Sequence, residues 1–151
     1  TSSAVRLETL SFLRQRAAAD GGWKHIVVPF FRDVWPRDRQ FQTAETSRSL
    51  VLFLEGLKER FSDGVRLVGD FLVSSLNTDI FVFQFGSDRE HGHADLTRQY
   101  PLATLTLLSK IIDENSPRPP YGLAEVMTRL ADALPDLRQD DRWQRLHKMA
   151  Q

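Results

Sequence analysis

The sequence predicts an all-α fold: a compact helical bundle or a short helical-repeat (solenoid-like) array of about six helices. Two observations carry the prediction. Apolar residues recur at helical spacing along most of the 151 residues, and Pro- and Gly-containing breaks separate the periodic runs. A third observation sets the scale: a chain of this length buries roughly 68–70% of its unfolded surface as one domain. The whole chain, 1–151, is therefore read as a single helical domain, expected to be the C-terminal fragment of a longer protein.

The elements follow in order. Leu7, Leu10, Leu13 and Ala17 form a first short stripe. In "WKHIVVPFFRDVW" a second stripe runs through Trp23, Ile26, Val27, Phe30 and Val34. Pro29 falls inside it, and a helix-interior proline costs about 3 kcal/mol or more, so two short helices meeting at Pro29 are expected. "SLVLFLEGLKERF" places Leu50, Phe53, Leu54, Leu57 and Phe61 at i, i+3, i+4, i+7 and i+11, one helix face. Val65, Val68, Leu72 and Leu76 continue the pattern. "DIFVFQFG" is aromatic and β-branched and reads locally as a strand. Paired with the run around Pro29 it would make a small two-stranded ribbon, so an α+β fold is the alternative.

"YPLATLTLLSKIID" opens with Pro101 at the first helical position, where the missing N–H costs nothing. Its Leu102, Leu105, Leu107, Leu108, Ile111 and Ile112 cover most of the circumference. A helix apolar on that many sides belongs at the centre of a core. "SPRPP" at 116–120 is an extended connector. "LAEVMTRLADAL" repeats the one-face spacing through Leu123, Val126, Met127, Leu130 and Leu134, and Pro135 stops it. Trp143, Leu146 and Ala150 line a terminal helix behind acidic residues suited to a helix N-terminus.

Composition limits function. Lys plus Arg and Asp plus Glu are 20 each, for zero formal charge, where a nucleic-acid binder usually carries a basic excess. Without cysteine there is neither a disulfide framework nor a thiolate metal site. No apolar run approaches the roughly 18 residues of a membrane span, and a cytoplasmic location is expected.

Two motifs carry candidate chemistry. In "REHGHAD", His91, His93 and Asp95 resemble the opening of the His-x-His-x-Asp-His motif of metallo-β-lactamase-fold hydrolases. That resemblance implies a metal-dependent hydrolase, but Leu96 stands where the last His should be. A catalytic zinc needs three protein ligands and an open position. Beyond the motif only His25 and His147 offer imidazole. The competing reading is a polar loop with Asp95 capping the next helix. In "RWQRLH", Arg142 and His147 show the Arg-x4-His spacing of HEPN-type ribonucleases, which are compact helical domains. There a cation stabilises developing phosphate charge while an imidazole moves protons. Trp143 occupies a position that is usually polar in that family, and the competing reading is an amphipathic helix with Arg142, Arg145 and His147 solvated.

"FRDVWPRDRQ" gathers Arg32, Arg37 and Arg39 around Trp35, which would suit base stacking and phosphate contacts. Asp33 and Asp38 offset that charge, and Trp35 reads better as a core anchor with arginines at its rim. No Gly-rich phosphate loop, Ser-His-Asp set or His-Glu-x-x-His is present, so no cofactor is expected.

Taken together, a helix ending in Val34, Trp35 and Pro36, the "YPLATLTLL" helix, the "LAEVMTRLADALP" helix and the closing "DDRWQRL" resemble the helical C-terminal region of large bacterial multidomain proteins. Some of those carry sirtuin-like or NTPase domains upstream and serve in anti-phage defence. The resemblance spans most of the chain and implies a structural or recognition module, with the chemistry in another domain. The expected function is accordingly a non-catalytic module that meets other domains of its own polypeptide or associates with itself. Phe81, Phe83 and Phe85, with Trp35, are the candidate contact residues if they stay exposed.

Overall fold

The computed structural model describes residues 3–76 and 96–151, and these are all-α. Two compact units follow one another along the chain, Thr1–Val73 and Ser74–Gln151.

The first unit begins with α1 (Ser3–Ala18), which buries Leu10, Leu13 and Ala17, whereas Leu7 on the same predicted stripe stays half exposed. A π-helical turn, Trp23–Val27, leads directly into α2 (Val28–Asp33), with Pro29 in the first turn of α2. Pro29 thus begins a helix, as its sequence position predicts, because its absent N–H falls among donors that would be unpaired anyway.

The buried stripe here differs from the expected one. Trp23, Val27, Phe31 and Trp35 are buried, while Ile26 and Val34 are exposed and Phe30 is half-buried. The cause is the π turn, in which the Val28 N–H donates to the Trp23 carbonyl five residues back. That turn is wider than an α turn, so the buried face advances in steps of four. The Phe30 carbonyl then accepts from the N–H groups of both Val34 (2.8 Å) and Trp35 (2.9 Å), closing α2 ahead of Pro36.

Thr43 caps α3 (Ala44–Glu55), its hydroxyl accepting from the Thr46 N–H at 3.2 Å. The single helix expected over 50–61 is two. The chain leaves α3 at Gly56, passes Lys58 at φ 55, and enters α4 (Phe61–Val68). Leu50, Phe53, Leu54, Leu57 and Phe61 are nonetheless all buried, because both helices turn their apolar sides inward. Leu72 leaves helical geometry altogether. Phe31 is the hub of this core: its ring centroid lies 5.2 Å from Trp35, 5.5 Å from Phe53, 5.7 Å from Phe30 and 6.5 Å from Phe71.

In the second unit the short α5 (Leu96–Gln99) precedes α6 (Pro101–Ile111). The buried Thr104 hydroxyl donates to the Leu96 carbonyl at 3.0 Å. Leu105, Leu107, Leu108 and Ile111 are fully buried and Ile112 nearly so, and α6 packs against α5, α7 (Leu123–Ala133) and α8 (Asp141–Ala150). Each such side chain contributes about 1.5–3 kcal/mol. Leu102 departs from this pattern at 52% exposure. On α7 the predicted face Leu123, Val126, Met127 and Leu130 is buried. The Trp143 indole N–H on α8 donates to the Met127 carbonyl at 3.0 Å, locking the two helices together.

The described residues contain a single isolated parallel bridge, Leu76 with Ile112, and no strand. Half of the ribbon alternative is thereby removed, since the run around Pro29 is helical. Its other half, 79–86, lies outside the described residues.

Candidate functional site

Of the residues singled out for chemistry, His91, His93 and Asp95 lie outside the described residues, as do Phe81, Phe83 and Phe85 in the expected contact patch. Among the described residues no cluster of three His, Asp or Glu side chains is placed to hold a metal ion.

Arg142 and His147 are described, and the structure separates them. Five residues along one helix is about 140° of rotation, so they do not share a face. Asp140 caps α8, its Oδ1 accepting from the Arg142 N–H at 2.9 Å. The same carboxylate takes Arg142 Nε at 3.1 Å and Nη2 at 2.8 Å, and Nη1 donates to the Thr106 hydroxyl of α6 at 2.9 Å. That guanidinium is already occupied by the fold. His147 stacks on Trp143, ring centroids 4.5 Å apart, with Nε2 3.0 Å from Gln151 Nε2.

Hydrogen bonding from the Arg142 side chain holds the Asp140 carboxyl at about 2, against an ordinary 3.8, and the carboxylate pushes Arg142 upward. A depressed carboxyl stabilises the fold fully above pH 4 and loses that contribution as pH falls through about 2. Asp140→Ala is therefore expected to cost about 1 kcal/mol at neutral pH as a lost helix cap. Urea unfolding of parent and variant should give curves that converge as the pH is lowered towards 2. A gap of undiminished size in acid would refute the assignment.

Trp35, offered as a contact residue, is buried at 5% exposure, with Phe41 5.3 Å away on the side opposite the helix. It serves the first unit as core. Arg32 and Arg37 from the same stretch do reach a site, a cavity of about 580 Å³ in the first unit. Asp33 and Asp38, which the sequence set against them, do not line it. Packing of α2 against α4 instead brings in Arg60, Asp63, Arg66 and Asp70. Asp63 pairs with Arg66 and, at 3.5 Å, with Arg60. Arg60 lies 5.8 Å over the Trp23 ring and Arg37 5.6 Å over Phe71, both within cation–π range. The i, i+3, i+6 spacing of Arg60, Asp63 and Arg66 is visible in the sequence, but its meeting with Arg32 and Arg37 is tertiary.

A second feature of the first unit is apolar. Leu7, Leu10 and Ser11 of α1 and Ser49, Leu52 and Phe53 of α3 line a groove of about 220 Å³. Leu10 and Phe53 form its buried floor, while Leu7 and Leu52 stand at 50% and 51% exposure. One turn along α1, Phe12 is half exposed, with the Arg16 guanidinium 5.0 Å over its ring.

No helix among the described residues is long and apolar enough to cross a membrane. No protein-family model and no solved structure matches the chain. Over 136 residues, 90% of its length, the chain is 26% identical to "Uncharacterized protein y4cA" of Sinorhizobium fredii. The similar stretch spans 11% of that much longer bacterial protein.

Proposed function

We propose that the chain is a non-catalytic helical interaction module of a larger cytoplasmic bacterial protein, acting by protein–protein contact and in the first place by self-association. The anti-phage setting implied by the sequence resemblance belongs to the same proposal. The groove between α1 and α3 carries it. Two large aliphatic side chains held half in water above an apolar floor are costly unless something covers them. The similarity to about a tenth of a much longer protein supports a modular role. So does zero net charge, which disfavours nucleic acid and permits association.

The test is Leu52→Asp, alone and with Leu7→Asp. Both positions are half exposed, so fold stability should change by no more than about 0.5 kcal/mol. Sedimentation of the parent should show concentration-dependent association that the substitutions abolish. A parent that stays monomeric at every concentration, or associates equally well with both aspartates in place, refutes the proposal.

A further inference from the structure

We propose that the arginine-lined cavity of the first unit binds the carboxylates of a short acidic peptide segment. The proposal rests on the chain being a module that meets other proteins, and it names the chemistry that one of them must present. Four guanidinium groups (Arg32, Arg37, Arg60, Arg66) and two carboxylates (Asp63, Asp70) line the cavity, 4 − 2 = +2, within a chain of zero formal charge. That surplus is local and unmatched. Among the described residues, Arg32 makes no side-chain ion pair or hydrogen bond, while Asp63 is already shared between Arg60 and Arg66.

Two of the cations are held in place rather than free to wander. Arg37 lies over Phe71 and donates through Nη2 to the Arg32 carbonyl at 2.8 Å. Arg60 rests over Trp23. A guanidinium parked on a ring keeps N–H edges for a planar, bidentate acceptor, which is what a carboxylate offers. Holding it there before the ligand arrives lowers the entropy lost on binding.

Size and charge narrow the ligand class. A cavity of about 580 Å³ is larger than a lone anion requires, and it falls in the range of sites that enclose extended ligands. Val28 and Leu67, half-buried in the lining, offer an aliphatic surface beside the charges. Two carboxylates flanking an aliphatic residue would neutralise the surplus and cover that surface. A polyphosphate or a nucleic-acid backbone brings more charge than two and meets Asp63 and Asp70 in the wall. An acidic, partly aliphatic peptide fits best.

The experiment uses the full chain and a fluorescein-labelled peptide containing Glu-Leu-Glu, read by anisotropy. Saturable binding is expected, at least tenfold weaker for the Gln-Leu-Gln counterpart and several-fold weaker when salt rises from 50 to 500 mM. Arg32→Ala should weaken binding at least threefold, and the double variant Arg32→Ala with Arg37→Ala at least tenfold. Arg118→Ala, exposed in the second unit, should change nothing. Because Arg32 supports no other described side chain, its single variant stays informative even if Arg37→Ala loosens the Phe71 corner. Inorganic phosphate and a single-stranded oligouridylate are the competing probes. Binding that ignores Arg32→Ala, equal affinity for the glutamine peptide, or tighter binding of phosphate or RNA would each overturn the proposal. Leu52→Asp separates the two proposals: it should abolish self-association and leave peptide affinity intact.

Discussion

Gly22→Ala is expected to destabilise the first unit by about 3 kcal/mol, at the upper end of what overpacking usually costs. Gly22 is buried at φ −65 and ψ −36, ordinary helical geometry, so its backbone would tolerate any L residue. Space is what forbids one. A Cβ there would overlap the Arg16 carbonyl oxygen and lie 2.8 Å from the Arg16 carbonyl carbon. Both are backbone atoms in the last turn of α1, and Arg16 O also accepts from the Ala19 N–H at 3.1 Å. Neither can swing aside as a side chain would. The neighbouring Gly21 is the converse case, at φ +72 with His25 Cδ2 3.3 Å from its would-be Cβ. Gly21→Ala should cost only about 1–2 kcal/mol, that of the left-handed conformation. Urea unfolding followed by tryptophan fluorescence measures both. The midpoint should fall by about 1–3 M for Gly22→Ala, and two variants of equal stability would refute the steric explanation.

Phe31→Ala should cost about 3–5 kcal/mol, the usual range for a fully buried phenylalanine. The ring is 1% exposed and within 6.5 Å of four other aromatic rings. Truncation forfeits edge and tilted contacts worth about 0.5–1.5 kcal/mol each on top of burial. Phe31→Leu keeps most of the volume and should lose about 1.5 kcal/mol. Near-ultraviolet circular dichroism should weaken in the alanine variant as the rings around Trp35 lose their fixed packing. A loss below about 1 kcal/mol would mean that Phe31 is not the hub of the core.

The fold was legible where local rules acted alone. Pro101 beginning α6, Pro135 ending α7, and the buried face of Leu123, Val126, Met127 and Leu130 each follow from spacing and proline chemistry. Leu7, Leu52 and Leu102 show what periodicity omits: it marks a side chain as apolar but does not say whether another element arrives to cover it. Trp35 was readable as core because a tryptophan ending a helix beside phenylalanines has few better places. The cavity was half legible. Arg32 and Arg37 stood out in "FRDVWPRDRQ", whereas Arg60 and Arg66 gain meaning only when α4 lies beside α2. Local charge cancellation by Asp33 and Asp38 was the wrong expectation, because neighbours in sequence point away from the space that Arg32 and Arg37 share with α4.

The wide turn at Trp23–Val27 amounts to one residue more than a regular helix would use. A homologue one amino acid shorter there would regain ordinary winding, but everything before the gap would swing by about 100° against everything after it. Trp23 and Phe31 could then no longer enter the same interior. Lineages that keep this arrangement must conserve the number of residues between those two positions more strictly than their identity, and an alignment that closes or opens a gap there joins chains with differently aimed rings.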